Sequence, residues 1–130
     1  MKGEGMKRIA VLALMVVLAA CGMSGPDYSG QYVGNVVDAV GGAGDATITL
    51  SQSGNQLTGA WQISFGSGRN SGFLQGVVNG GSISAQLYPS RSDACPYDLV
   101  ATRSSNTLSG NYAAFNCTVS VSGTFVGVKQ

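Results

Sequence analysis

The sequence of 130 residues contains no histidine and few charges of either sign. Histidine is the commonest general base, metal ligand and pH-sensitive side chain, so its absence argues against most hydrolase mechanisms and zinc sites. Seven Lys and Arg residues against six Asp and Glu give a net charge of +1 at pH 7. Such a chain has no stripe of basic side chains for phosphate contacts, and we expect no nucleic-acid partner.

A long apolar run is found only near the N-terminus. The first eight residues include Lys2, Lys7 and Arg8, and the next twelve are all apolar. A cationic segment followed by an apolar segment of this length is typical of a secretory signal peptide and is too short to span a bilayer. Translation can begin at Met1 or at Met6, because Lys7 and Arg8 follow both.

The apolar run ends in Leu18-Ala19-Ala20-Cys21, which resembles the lipobox of bacterial lipoproteins. The resemblance implies that Cys21 receives acyl chains such as palmitate and becomes the first residue after cleavage. Several acyl chains hold a protein on a membrane more durably than one. Gly22 stands where an Asp would mark inner-membrane retention, so the resemblance implies the outer membrane, facing the periplasm. The alternative is an ordinary signal peptide that a cysteine happens to follow.

These features divide the chain into a signal peptide (residues 1–20), a lipidated tether (21–28) and a folded domain (29–130). The tether is predicted from its small, polar and proline-containing composition. Without residues 1–20, 110 of the 130 residues remain, which fits one domain. Four cations and five Asp then give a net charge of −1, and no Glu remains.

After Cys21 the apolar residues alternate with polar ones at a period of two, and no window has helical spacing. The clearest run covers residues 56–65. Four further strands, Gly30–Val37, Pro96–Thr102, Thr107–Ala114 and Val119–Val128, join the four strands of two predicted hairpins. Eight short strands with short connections predict an all-β antiparallel meander closed as a small β-barrel, with a β-sandwich as the alternative.

The two hairpins have predicted registers. In the first, Leu50 pairs with Leu57 and the turn is Ser53-Gly54. In the second, Val78 pairs with Ile83 and the turn is Gly80-Gly81. In each register the apolar residues of both strands lie on one face.

A pattern of Ser or Thr, Gly, any residue and an aromatic recurs four times, at residues 29–32, 58–61, 109–112 and 122–125. The Gly and the aromatic are two residues apart and therefore share the inner face, where an absent Cβ leaves room for a ring. The inner face is predicted to carry Tyr32, Leu50, Trp61, Phe65, Tyr112 and Phe125. These residues either line a ligand cavity or fill the core, since a barrel of eight strands permits both.

Two cysteines, Cys95 and Cys117, remain once Cys21 is assigned to the lipid anchor. An even pair in an exported chain predicts one disulfide. If residues 96–115 form a hairpin that turns near residues 104–106, the two cysteines lie near each other at its open end.

Catalysis would have to depend on aspartates, because the domain has no His or Glu to activate a nucleophile. Asp93 and Asp98 flank the first predicted disulfide cysteine, and Asp38 and Asp45 flank a Gly-rich loop. Solvated loop charges are the simpler interpretation of both pairs. We therefore expect a non-catalytic protein without a metal or other cofactor.

The strand lengths, the Gly-aromatic pattern and a hairpin repeat between residues 51–61 and 102–112 resemble those of small exported barrels. These are the calycin group, which includes lipocalins and avidins, and the barrel-shaped periplasmic protease inhibitors. The Gly-x-Trp motif of lipocalins is present only as Gly30-Gln31-Tyr32. Fold resemblance alone does not assign a function.

Two functional hypotheses follow from this resemblance. The first is a lipid-anchored binding module that takes a small apolar or amphipathic ligand at the mouth of the barrel. The alternative is an envelope protein-protein interaction or inhibitor module with a filled core, which displays loops such as Gly66–Ser71 or Ser90–Ala94 to another envelope protein.

Overall fold

The structure, a computed structural model, describes residues 27–118 and 120–130. The predicted signal peptide, the predicted lipidation site Cys21 and tether residues 22–26 lie outside the described residues. The fold below is therefore that of the predicted domain and the last two residues of its tether.

The described residues form eight strands and no helix. Consecutive strands pair antiparallel, and the last pairs with the first, so the sheet closes into a barrel. The predicted all-β meander is confirmed, and the alternative sandwich is wrong because the pairing continues around all eight strands. The strands are β1 (Gly30–Asp38), β2 (Gly42–Ser53), β3 (Gln56–Phe65), β4 (Gly68–Asn79), β5 (Ser82–Pro89), β6 (Tyr97–Ser104), β7 (Thr107–Ala114) and β8 (Ser122–Lys129).

The core consists of the inward members of each alternating strand. Of the six predicted inward residues, all but Phe65 are at most 4% exposed, and Phe65 is half-buried at the end of β3, packed against the core. Burial of each such side chain contributes roughly 1.5–3 kcal/mol before the loss of conformational entropy is counted. The buried five are Tyr32, Leu50, Trp61, Tyr112 and Phe125.

The register of the second hairpin is confirmed, with Val78 opposite Ile83. The predicted register of the first hairpin is wrong by two residues. Leu50 lies opposite Gly59 instead of Leu57, and the turn is Gly54-Asn55, one residue later than predicted. Gly54 is the first residue of this turn and has a φ of 61°. Two-residue hairpin turns favour glycine at a turn position with a positive φ. Because the shift is even, both leucines stay on the inner face.

Several inward glycines lie where neighbouring strands approach too closely for a side chain. A Cβ on Gly59 would overlap the backbone carbonyl oxygen of Thr49 on β2. A Cβ on Gly34 would overlap the carbonyl oxygen of Val126 on β8. These inward glycines therefore allow the strong coiling that closes a small barrel.

The two ends of the barrel differ. At one end, called the loop end here, are the connections 39–41, 66–67, 90–96 and 115–121, of which residue 119 is not described. At the other, called the closed end, are the two-residue turns 54–55, 80–81 and 105–106 together with the incoming N-terminal residues 27–29.

Tyr28 plugs the closed end. Its side chain is 1% exposed, its carbonyl oxygen accepts a hydrogen bond of 2.9 Å from the Tyr32 hydroxyl, and the Arg103 guanidinium lies 5.6 Å from its ring centre. Arg103 also donates a 2.6 Å hydrogen bond to the carbonyl oxygen of Asp27. The predicted tether extended through Tyr28, but this residue is packed in the barrel, because its ring covers apolar side chains at the closed end.

Substitution of Gly59 by Ala tests the tight packing between strands. Gly59→Ala is expected to lower the free energy of unfolding by about 1–3 kcal/mol, because the added Cβ must push β2 and β3 apart. Gly81→Ala is the control, since a Cβ there meets nothing within 4 Å. Urea unfolding followed by Trp61 fluorescence measures both variants, and equal stabilities would contradict this account of the glycines.

Candidate functional site

The barrel interior is filled by its own side chains. The cavity within the core has a volume of only about 10 Å³ and is lined by apolar and aromatic residues, among them Trp61, Tyr112 and Phe125. A site for a small molecule usually has about 300–1,000 Å³, and about 10–15 Å³ is needed for a single water. The predicted inward residues therefore make up a core instead of lining a ligand cavity.

Three aromatic rings close the interior toward the loop end. Trp61 and Tyr97 meet edge to face with ring centres 6.0 Å apart, and Tyr97 and Tyr112 meet in the same way at 5.4 Å. Edge-to-face pairs add about 0.5–1.5 kcal/mol each beyond the area they bury. The Trp61 indole also donates a 3.0 Å hydrogen bond to the carbonyl oxygen of Phe73. The three rings thus form a packed aromatic layer beneath the loops.

Asp38 is the buried charged residue of this end and is 8% exposed. One carboxylate oxygen accepts hydrogen bonds of 2.8 Å from the backbone N–H groups of Val40 and Gly41. The other accepts a 2.7 Å hydrogen bond from the Tyr112 hydroxyl. Asp38 therefore ties the loop at 39–41 to a side chain of β7 in the core.

Hydrogen bonds and burial together set the ionisation states of Asp38 and Tyr112. Burial by itself raises the pKa of Asp38, but the hydrogen bonds from Gly41, Tyr112 and Val40 together outweigh it and hold the pKa below its usual value. Burial, followed by the hydrogen bond to Asp38, raises the pKa of Tyr112. At neutral pH the pair is a carboxylate held by a protonated phenol, a stable arrangement with no proton to exchange near that pH.

Asn70 is a polar residue of the loop end that the sequence analysis missed. It lies on β4 opposite Ile63, and its side-chain oxygen is buried without a hydrogen-bond partner among the described residues. Tyr97 lies beside it: burial, followed by the charge of Asp38, raises the pKa of Tyr97, while a hydrogen bond with Asn70 lowers it. The sequence placed residues 66–71 in a loop, so nothing marked Asn70 as an inward strand residue.

The predicted disulfide is confirmed. Cys95 and Cys117 are bonded, with Cα atoms 5.7 Å apart and a sequence separation of 22. The bond joins the β5–β6 connection to the β7–β8 connection, and the backbone N–H of Phe115 donates a 3.1 Å hydrogen bond to the carbonyl oxygen of Pro96 beside it. Two of the longest loops are thereby held as one unit.

The two segments predicted as display loops lie at this same end, although β4 already begins at Gly68 within the first. In the second, the backbone N–H of Ser90 donates a 2.8 Å hydrogen bond to the carbonyl oxygen of Ser71. The Arg91 guanidinium and the Asp93 carboxylate form an exposed ion pair of 3.1 Å. An exposed pair of this kind adds little stability, so both charges are available at the surface.

The structure does not assemble the aspartates into a paired-carboxylate site. Asp38 is buried and carries three hydrogen bonds, whereas Asp45 is exposed on β2 with its carboxylate 3.5 Å from the Asn35 amide. Asp93 is paired with Arg91. Asp98 is exposed on β6, 3.4 Å from the Gln86 amide.

Within the described ranges, 27–118 and 120–130, no group of three or more Asp, Glu, Cys or His side chains is placed to hold a metal ion. Nor do these ranges contain a helix with the length and apolar character needed to cross a membrane.

Removal of the Tyr112 hydroxyl tests the role of Asp38. The ionised Asp38 carboxylate stabilises the fold, and this contribution is fully present above about pH 4, the usual pKa of a free aspartate. The contribution is lost as the pH falls through the pKa of Asp38 in the folded protein, which is lower. Tyr112→Phe raises that pKa, so acid destabilisation begins at a higher pH. At pH 7 the variant is expected to lose about 1.5–3 kcal/mol of unfolding free energy.

Tyr32→Phe is the matched control, because the Tyr32 hydroxyl is bonded to a neutral carbonyl oxygen. It is expected to lose about 1 kcal/mol at every pH tested. Urea unfolding between pH 3 and 7 measures both variants. If the two variants have the same pH dependence, Tyr112 does not control Asp38.

Loss of the disulfide is expected to destabilise the barrel at the loop end. The Cys95→Ser/Cys117→Ser double variant should lose about 3 kcal/mol of unfolding free energy, as for other loops of about this length. Denaturant unfolding of the wild type with and without reductant provides the control and should give the same difference. An unchanged free energy of unfolding in both experiments would show that the Cys95–Cys117 disulfide does not stabilise the barrel.

Comparison with known proteins places the chain in no family: no protein-family model matches the sequence, and no curated protein is significantly similar to it.

Proposed function

We propose that this protein is a non-catalytic interaction module of the cell envelope, lipid-anchored at Cys21, that binds another envelope protein through its loop end. The filled interior is the observation that carries the proposal. A core cavity of about 10 Å³ leaves no internal site for a ligand, so binding has to use the outer surface. Of the two hypotheses from the sequence, the geometry therefore favours the interaction module.

The position of the N-terminus supports the choice of the loop end. Residues 27–29 enter at the closed end, where Tyr28 is packed into the barrel. Strands of 8 to 12 residues separate this end from the loops, a distance of roughly 20–30 Å for tilted strands. An anchor at Cys21 would therefore hold the closed end near the membrane and point the loop end away from it.

The loop end is also rigid and chemically varied. The Cys95–Cys117 bond and the Asp38 hydrogen bonds fix loops on three sides of the mouth. Loops that are ordered before binding lose less conformational entropy when a partner docks. Exposed charges of both signs, on Arg69, Arg91 and Asp93, provide groups for orienting a protein partner.

Site-specific photo-crosslinking in intact cells tests this proposal. A benzophenone amino acid in place of exposed Ser92, in the β5–β6 connection, is expected to give one discrete protein adduct. The same group in place of exposed Asn55, in a turn of the closed end, is the control and should not give that adduct. Equal adducts at both positions, or none at Ser92, would overturn the proposal.

The disulfide gives a second measurement with the partner captured in this way. The Cys95→Ser/Cys117→Ser variant keeps every charge of the loop end but loses the restraint between its loops. We expect its affinity to fall about tenfold, because the loops must then be ordered on binding. Isothermal titration calorimetry measures the change, and an unaltered affinity would place the contact elsewhere on the barrel.

A further inference from the structure

The turn between β4 and β5 contains the only Asn-Gly pair of the sequence. Asn79 is the last residue of β4 and pairs with Ser82, and Gly80-Gly81 form the two-residue turn between them. Asn79, Gly80 and Gly81 are all exposed. Water therefore has access to the Asn79 side chain and to the peptide bond that follows it.

The Asn79 side chain is a free carboxamide. Within the described residues it makes no hydrogen bond, and the 3.4 Å contact from the Ser82 hydroxyl is to the backbone carbonyl oxygen of Asn79. No contact of the turn therefore holds this carboxamide away from the backbone.

The backbone N–H of Gly80 is also free. A turn of this kind is closed by a hydrogen bond from the residue after it to the carbonyl oxygen of the residue before it, here from Ser82 to Asn79. The Gly80 N–H takes no part in that bond, and in the described part of the chain it has no acceptor. Gly80 has a φ of 61°, and a Cβ placed on it would meet nothing within 4 Å. Its nitrogen is therefore unhindered.

We propose that Asn79 is a site of spontaneous deamidation. The Gly80 nitrogen attacks the carbonyl carbon of the Asn79 side chain and forms a new C–N bond. The side-chain nitrogen leaves with the Gly80 proton as ammonia, and a five-membered cyclic imide remains. Water then adds across one of the two C–N bonds of the imide nitrogen, which leaves either aspartate or isoaspartate at position 79.

Two other turns of the closed end provide comparisons within the same molecule. Asn55 and Asn106 are exposed, and each is the second residue of a two-residue turn. The next N–H group, of Gln56 or Thr107, is the donor that closes the turn. Gln56 and Thr107 also carry side chains, which hinder attack by their nitrogens. The position of the asparagine in the turn therefore distinguishes Asn79 from the other two.

Deamidation at Asn79 changes the closed end in two ways. Either product adds one negative charge to residues 21–130, whose net charge is −1 before the reaction. Isoaspartate also lengthens the main chain by one methylene group, so the pairing of Asn79 with Ser82 cannot be kept unchanged. The turn lies at the opposite end of the barrel from Ser92, so this inference and the proposed function are tested separately.

Incubation of the folded full chain in water enriched in oxygen-18, at slightly alkaline pH in a mild detergent, tests the site. Peptide mass spectrometry is expected to find one heavy oxygen at residue 79, in a mixture of aspartate and isoaspartate. The reaction at Asn79 should be at least about tenfold faster than at Asn55 and Asn106. Equal rates at the three positions, aspartate without isoaspartate, or no heavy oxygen at residue 79 would each overturn the proposal.

Asn79→Gln is the matched variant, because it keeps the amide but has to close a six-membered ring, which forms more slowly. We expect it to react at least about tenfold more slowly at residue 79, with Asn55 and Asn106 unchanged. Reaction at the wild-type rate would contradict the cyclic imide. Circular dichroism spectra confirm that the variant is folded.

The same incubation in urea tests the contribution of the turns. Unfolding releases the Gln56 N–H from its hydrogen bond, so the ratio of the rates at Asn79 and Asn55 is expected to be larger in the folded chain than in urea. A larger ratio in urea would show that the fold protects Asn79 and would overturn the proposal.

Discussion

Close packing inside a small barrel is the constraint on which the rest of this structure depends. Eight strands enclose a space that their own inward side chains can fill, and here the space left over is about 10 Å³. The aromatic rings fit because glycines on the same face remove the Cβ atoms that would otherwise meet a neighbouring strand. A filled interior stabilises the fold. Because it leaves no internal site for a ligand, any binding has to use the outer surface of the barrel.

The two ends of the barrel then take on different roles. Tyr28 closes the end at which the chain enters, while Asp38 and the Cys95–Cys117 bond hold the loops of the opposite end. A small protein without histidine and with few charges thus still presents a polar end whose loops are restrained.

The sequence was sufficient to predict the strands because their alternation records which residues face the core, as in β3, where Trp61 is inward. It was also sufficient to pair Cys95 with Cys117. The predicted register of the first hairpin was wrong because Gly54 can occupy either position of a two-residue turn. In the structure Gly54 occupies the first position with a positive φ, a conformation that glycine adopts readily.

The site residues were harder to predict. Asp38 borders a glycine-rich loop and was interpreted as a solvated charge, since its partner Tyr112 is 74 residues away and is brought near only by closure of the barrel. Asn70 was missed for a related reason, because residues 66–71 resemble a loop in composition but include the first part of β4. Alternation likewise identifies inward residues without deciding whether they fill a core or line a cavity.

The central claim, that the barrel is filled and binds through its surface, is tested most directly by a crystal structure determined under xenon pressure. Xenon enters apolar cavities that are large enough to hold it. The account predicts no xenon between Trp61 and Phe125, where the cavity of about 10 Å³ lies. An ordered xenon atom at that position would show that the interior opens to admit ligands and would contradict the account.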